Sequence, residues 1–520
     1  MSNIDRFRSN PTGRVHQAYE SSVLLPVAPE YTTGEVLLAS AYRTLLTGER
    51  DAVVDLADID RIPAAVAQAA SEADPRVDRS AFREMWEPLV FEPGGLKSPT
   101  PSMGGARYKQ LMPLVPQLSR VSGVLGTRRS RWQPGNLLVS TIYAGRGLRE
   151  GPNLLRRLAD SLRVDATDDW FAQFLEVHLA QADITSPSRP VVGASGEHEE
   201  RRKSAAWRPE PRGGYLPSER FCADLETVID LKPKLTRRQW TVLVESLLRL
   251  GVGLHQLWLC RLNSRVWLLC KEIVDDRNVL VRDEVLARCW RSQAEDDPLL
   301  YLSDNVGPWL DRTLDDFSLA RVGINLLLWA LEDCGHSFSS KLGTPEAPRS
   351  TNPPDAIWSF LQDVAAYRDE IRARLASHGW PGLGYAAASV ADADPRFVSG
   401  AATRNLSFFM RYTLLAVQSK DPRDRQYDQG YLLYKRNERS SIQVRPGPSM
   451  LILVAHCCCR DRGNVPTSIF HFRRHLAAYG VAAPPDELRT GETARELERL
   501  GLVIDSPDAG GGRLLVDPFM

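Results

Sequence analysis

Residues 235–274 read LTRRQWTVLVESLLRLGVGLHQLWLCRLNSRVWLLCKEIV, and wound as a helix they are apolar on nearly every face. A helix at a protein surface keeps one polar side, so a helix without one belongs in the middle of a helical domain. Thr236 stands where such a helix starts, and its hydroxyl suits an N-cap. Charged residues recur often enough that no run of about 18 apolar residues occurs, so no membrane span is expected. Six tryptophans (Trp240, Trp258, Trp267, Trp290, Trp309 and Trp329) lie in or near this region, and core packing accounts for them.

Helical periodicity continues on both sides. It predicts helices over residues 33–46, 60–70, 79–89, 153–162 and 169–181 before the central stretch. After it, helices are predicted over 282–293, 306–313, 318–331, 357–378 and 401–418. Residues 92–106 carry Pro and Gly at a density no regular element tolerates. LLVSTIYAG, residues 137–145, is predicted as a short strand. The Gly-rich YAGRGLREG that overlaps it lacks the GKS or GKT ending of a nucleotide loop and is read as a turn. Residues 186–218, rich in Pro, Gly, Ser and charge, have no hydrophobic period and read as a linker. A second Pro-rich break spans 343–355. A chain of 520 residues exceeds one ordinary core. The fold expected is mainly α and multidomain: an N-terminal helical domain with irregular loops (1–185), the linker (186–218), a central helical domain (219–342), a helical segment (343–446) and a last module (447–520).

Lysines and arginines total 65 against 65 acidic residues. That balance excludes a surface devoted as a whole to nucleic acid or anionic membrane, though a local basic patch remains compatible with it. None of the eight cysteines forms a CxxC pair, and several sit in apolar helical stretches. Buried free thiols in a reducing compartment are expected. The polar opening MSNIDRFRSNPTGR has no apolar signal region, so a cytoplasmic protein without membrane partners is expected.

The last module is predicted as three helices and a hairpin. Residues 450–459 form the first helix. Residues 467–479 form the second, with Thr467 as N-cap and Gly480 as its stop. Residues 489–500 form the third, and LVIDS, the turn PDAGGG and RLLVD fold back as two strands. Residues 447–520 thereby resemble the winged helix-turn-helix family. The resemblance implies that the third helix, with Arg489, Thr490, Thr493, Arg495, Glu496 and Arg499, enters a major groove, and that Arg513 on the wing meets phosphate. Arg473, Arg474 and His475 on the second helix add positive charge. Glu492, Glu496 and Glu498 oppose it, and members of the family also serve as protein-interaction modules.

Arg128, Arg129 and Arg131 beside Trp132 make a second candidate contact, suited to holding phosphate and stacking a base. His456-Cys457-Cys458-Cys459, with His471 and His475, has the residue types of a zinc site. Three consecutive cysteines point in three directions on a helix, so they are read as packing and the histidines as surface residues. Cys334 with His336 and the acidic pairs Asp275–Asp276 and Asp315–Asp316 are read as loop and helix-start features. No catalytic residue, metal or cofactor is expected. The functional expectation is a non-enzymatic adaptor that holds partner proteins through its helical body and double-stranded DNA or a partner through its tail. Its style is that of an accessory component of a bacterial DNA-processing or anti-phage defence system. The alternatives are a winged-helix transcription regulator and an enzyme whose site is assembled from distant residues.

Overall fold

The computed structural model describes residues 37–47, 74–90, 112–120, 134–181, 217–276, 281–289, 297–335, 353–394, 401–415, 430–436, 439–463, 466–505 and 513–520, with residues 4–5, most of 64–72, 96–97, 107–108 and 428. It is mainly helical. Helix α1 (Leu37–Tyr42) runs into a π-helical turn, Arg43–Thr47, and α2 covers Arg79–Val90. Strands β1 (Leu96–Lys97) and β2 (Arg107–Tyr108) pair antiparallel, and a 3-10 turn follows at Pro116–Arg120. Next come α3 (Pro134–Leu162), α4 (Trp170–Gln181), α5 (Pro217–Leu231), α6 (Arg237–Val274) and α7 (Arg282–Cys289). After β3 (Leu300–Tyr301) the chain forms α8 (Gly307–Asp333), α9 (Pro353–Ala366), α10 (Arg368–Ser377), α11 (Leu383–Ala393) and α12 (Ala401–Leu414). Strands β4 (Leu433–Tyr434) and β5 (Gln443–Val444) make a small antiparallel pair. The tail holds α13 (Pro448–Asp461), β6 (Thr467–Ser468), α14 (Ile469–Ala478), β7 (Val481–Ala482), α15 (Pro485–Arg489), α16 (Glu492–Arg499), β8 (Val503–Asp505) and β9 (Arg513–Leu515).

Helix α6 is the axis of the molecule. Thr236 and Gln239 close a capping box at its start: the Gln239 amide N–H donates to the Thr236 hydroxyl at 3.3 Å, and the Thr236 N–H donates to the Gln239 side chain at 3.1 Å. Helices α1, α3, α5, α8, α9, α12 and α13 all pack on it, which is what an all-round apolar helix requires. It is long and apolar enough to cross a membrane, and 94% of its most apolar window is buried inside the protein. Helix α8 lies against it with no side chain between them at Gly323, where an added Cβ would sit 2.3 Å from the Trp267 ring. Buried side chains of the N-terminal helices, the central pair, α9–α12 and the tail join one contiguous cluster from Ile4 to Leu515. A smaller cluster gathers Val66, Met112, Leu114, Val115 and Leu118 against Ala172, Leu175 and Leu179 of α4.

Arg237, 2% exposed, fastens the N-terminal helices to α6. Its guanidinium donates to the Leu114 carbonyl at 2.8 Å, to Asp168 at 3.2 Å and to the Tyr42 hydroxyl at 2.7 Å. It also bonds the Ser161 and Leu162 carbonyls, which end α3 without helical partners.

Five expectations are corrected. Residues 137–145 are helical, not a strand: they lie within α3, where Leu137, Leu138, Ile142 and Tyr143 are buried together at helical spacing, and packing overrides their β-propensity. The glycines of YAGRGLREG serve this helix. Gly145 lets α5 approach, since an added Cβ would meet the Ser218 carbonyl at 2.2 Å, and Gly147 takes φ +68° at a kink. The stretch expected as linker ends early, because Pro217 and Ser218 are buried in the first turn of α5; residues 186–216 lie outside the described residues. In the tail, Thr467 is a strand residue and Ser468 is the N-cap of α14. The third tail helix is two, α15 and α16, divided at Thr490–Gly491, and the Glu487 carboxylate caps α16 by accepting from Thr493 N at 2.8 Å.

Candidate nucleic-acid interface

The tail is built around α13, whose apolar positions Met450, Leu451, Leu453, Val454 and Ala455 are buried. Strand β6 leads into α14, which Gly480 ends at φ +85°. Strand β9 lies between β6 and β8, antiparallel to both, with Leu515 opposite Thr467 and Val503. Buried Ala494 and Leu497 hold α16 down, and its other side faces solvent.

That outer side carries Arg495 and Arg499, and the other candidate arginines stand on α14, α15 and β9. Arg495 is exposed, and its Nε donates to the carbonyl of Gly491, the N-cap of its own helix, at 3.3 Å. Arg499 is exposed and bonded to Glu496 at 2.9 Å, which holds the Glu496 carboxyl below its usual range. Arg489 is exposed in the last turn of α15, and Arg474 on α14 is exposed too. Arg473 lies over the Phe470 ring at 5.7 Å. Arg513 on β9 pairs with Glu498 at 2.5 Å and with Asp505 at 3.3 Å. Residues 447–520 contain eight arginines and no lysine against nine carboxylates, so their summed field does not attract a polyanion. Arg128, Arg129, Arg131 and Trp132 lie outside the described residues.

His475, expected on the helix surface, is 5% exposed and joins the tail to the body. Its Nε2 donates to Asp224 of α5 at 2.9 Å, and the Tyr479 hydroxyl donates to the same carboxylate oxygen at 2.7 Å. Arg220 holds the other oxygen at 2.6 and 3.0 Å and reaches Asp461 of α13 at 2.8 Å. Burial by itself would push the Asp224 carboxyl up; His475, Arg220 and Tyr479 together hold it below its usual range. The backbone adds a second seam: β7 pairs in parallel with β3, and Leu302 N donates to the Ala482 carbonyl at 2.9 Å.

His456 likewise has a structural task. Its Nδ1 faces Asp517 at 2.7 Å, both side chains are 2% exposed, and the pair pins the last residues onto α13. Burial pushes the neighbouring thiols up: Cys457 well up, Cys458 to about 12 and Cys459 to about 11. So raised, they stay protonated at neutral pH and are poor nucleophiles. His471 caps its own helix, accepting from Ser468 N at 3.2 Å. All eight cysteines are free, and all but Cys334 are buried. Of the acidic pairs, Asp275 serves a helix start, but that of α11, accepting from Leu383 N at 2.8 Å.

The sequence held the residue types of the Asp224 cluster but no sign of their meeting, because 251 residues separate Asp224 from His475. No family model matches the chain, and no curated protein matches it.

Proposed function

We propose that the chain is a non-enzymatic binding adaptor whose residues 447–520 are a winged helix-turn-helix module that docks a protein partner. The observation that carries this reading is the order helix, strand, helix, strand, helix, helix, strand, strand, with the first of these strands paired to the last, which leaves α16 and the β8–β9 flap outward. The charge on that surface favours protein over duplex. Arg513 and Arg499 are engaged by Glu498, Asp505 and Glu496, so the flap and helix offer a mixed-charge face of the kind found at the rims of protein interfaces. The buried acid–base pairs Asp224–His475 and His456–Asp517 hold elements together and support an adaptor over an enzyme.

The test is affinity purification of the tagged full-length chain from its native host, with and without nuclease. A co-purifying protein that survives nuclease and is lost on Arg489→Glu/Arg495→Glu supports the reading. Loss on nuclease treatment, or retention by the variant, overturns it. Duplex DNA is the second reading, favoured by exposed Arg474, Arg489 and Arg495, none with a carboxylate partner among the described residues. On that reading Arg495→Glu/Arg499→Glu lowers the affinity for a labelled duplex and flattens its salt dependence in fluorescence anisotropy; unchanged curves exclude α16 as the reader.

A further inference from the structure

Arg321 lies in the middle of α8, 1% exposed, and Asn325 follows one turn later with no exposure. At 100° per residue the two side chains leave the helix within about 40° of each other. Both lie about 160° around from Gly323, which faces Trp267 of α6. They therefore leave α8 on the side opposite its contact with Trp267 of α6; α8 is also packed against α10, α11 and α12.

The polar atoms on this face are not matched among the described residues. Nε and Nη1 of Arg321 and both amide atoms of Asn325 are enclosed without a hydrogen-bond partner. Arg321 has no ion pair among the described residues, whereas the comparably buried Arg237 has Asp168 and Arg249 has Glu245 at 2.7 Å. Asp311 of α8 is taken by Arg411 and Ser407 of α12. Burial lowers the guanidinium to about 9, which leaves it charged at neutral pH. A buried charge without a partner is strongly destabilising, and buried donors are nearly always matched.

We propose that Arg321 and Asn325 form a buried site for a small oxyanion, of the phosphate or phosphate-monoester class. The guanidinium supplies charge-assisted donors to the anion's oxygens. Asn325 offers a donor and an acceptor side by side, which suits an anion that keeps one hydroxyl, as hydrogen phosphate does and sulfate does not.

Melting of the full chain is followed while inorganic phosphate or sulfate is titrated at constant ionic strength, and native mass is recorded alongside. The expected result is a saturable rise in Tm with phosphate, larger than with sulfate and absent in Arg321→Met. That variant is also expected to melt higher than the unliganded parent, because an uncompensated charge has gone. If the site is already filled on purification, the parent carries excess native mass of a bound phosphate and Arg321→Met does not. An equal response in parent and variant overturns the proposal, as does no response from a chain of unmodified native mass. Should Arg321→Met not fold, Asn325→Leu decides: loss of the phosphate preference supports the site, and an unchanged preference overturns it.

Discussion

Asp224 is 1% exposed and collects four hydrogen bonds from Arg220, His475 and Tyr479, so its carboxylate is matched on both oxygens. Removing one member of such a buried set leaves the others uncompensated, at about 3–5 kcal/mol. Asp224→Asn should therefore lower the unfolding free energy by about that amount in urea titrations at pH 7. The effect is pH-dependent. The folded carboxyl sits below its usual range, so its contribution is complete above the unfolded value and fades as pH falls through the folded one. The gap between parent and Asp224→Asn should therefore narrow as the pH falls below about 4. A gap independent of pH would show that the variant acts through packing alone. In the sequence His475 stands beside Arg473 and Arg474 as one more polar residue of α14, and nothing there says what lies opposite. Arg237 was hidden in the same way, looking like one more arginine of an Arg-rich chain until the α3 carbonyls and Asp168 surround it.

At the scale of elements, local rules found what local forces decide. The Thr236 cap, the Gly480 stop and the all-round apolar α6 were legible because capping and burial act within a few residues or along one helix. Residues 137–145 were misread because β-branched Val139, Thr141 and Ile142 favour a strand in isolation, while α1 and α5 offer a helical groove the local pattern cannot reveal. The split between α15 and α16 escaped for the opposite reason: one carboxylate, Glu487, reaches forward six residues to start a new helix. The contact between α6 and α8 makes a sharper test of packing. Gly323→Ala puts a methyl into the Trp267 ring and should cost about 1–3 kcal/mol by overpacking. Trp267→Leu in the same chain should recover part of that loss, since it removes the obstructing atoms. A double-mutant cycle with no coupling between the two sites would mean that the helices do not meet there.

Across the whole molecule, the candidate surface is carried on a tail bound to the body in three ways. Helix α13 packs on α5 and α6, the Asp224 set joins α5 to α14, and β7 completes a strand pair with β3. A partner held at α16 would thus be fixed in orientation relative to the helical body, which is what separates an adaptor from a tethered binding module. This arrangement predicts cooperative behaviour. Calorimetry of the full chain should show α13 and α6 melting in one transition, and hydrogen exchange should give their slowest amides the same opening free energy. Asp224→Asn should divide them, with α13 and α14 opening at lower temperature and α6 persisting. If α13 already exchanges through a cheaper opening in the parent chain, the tail moves on its own, and a partner bound there is linked to the body by the chain between them and not by a fixed geometry.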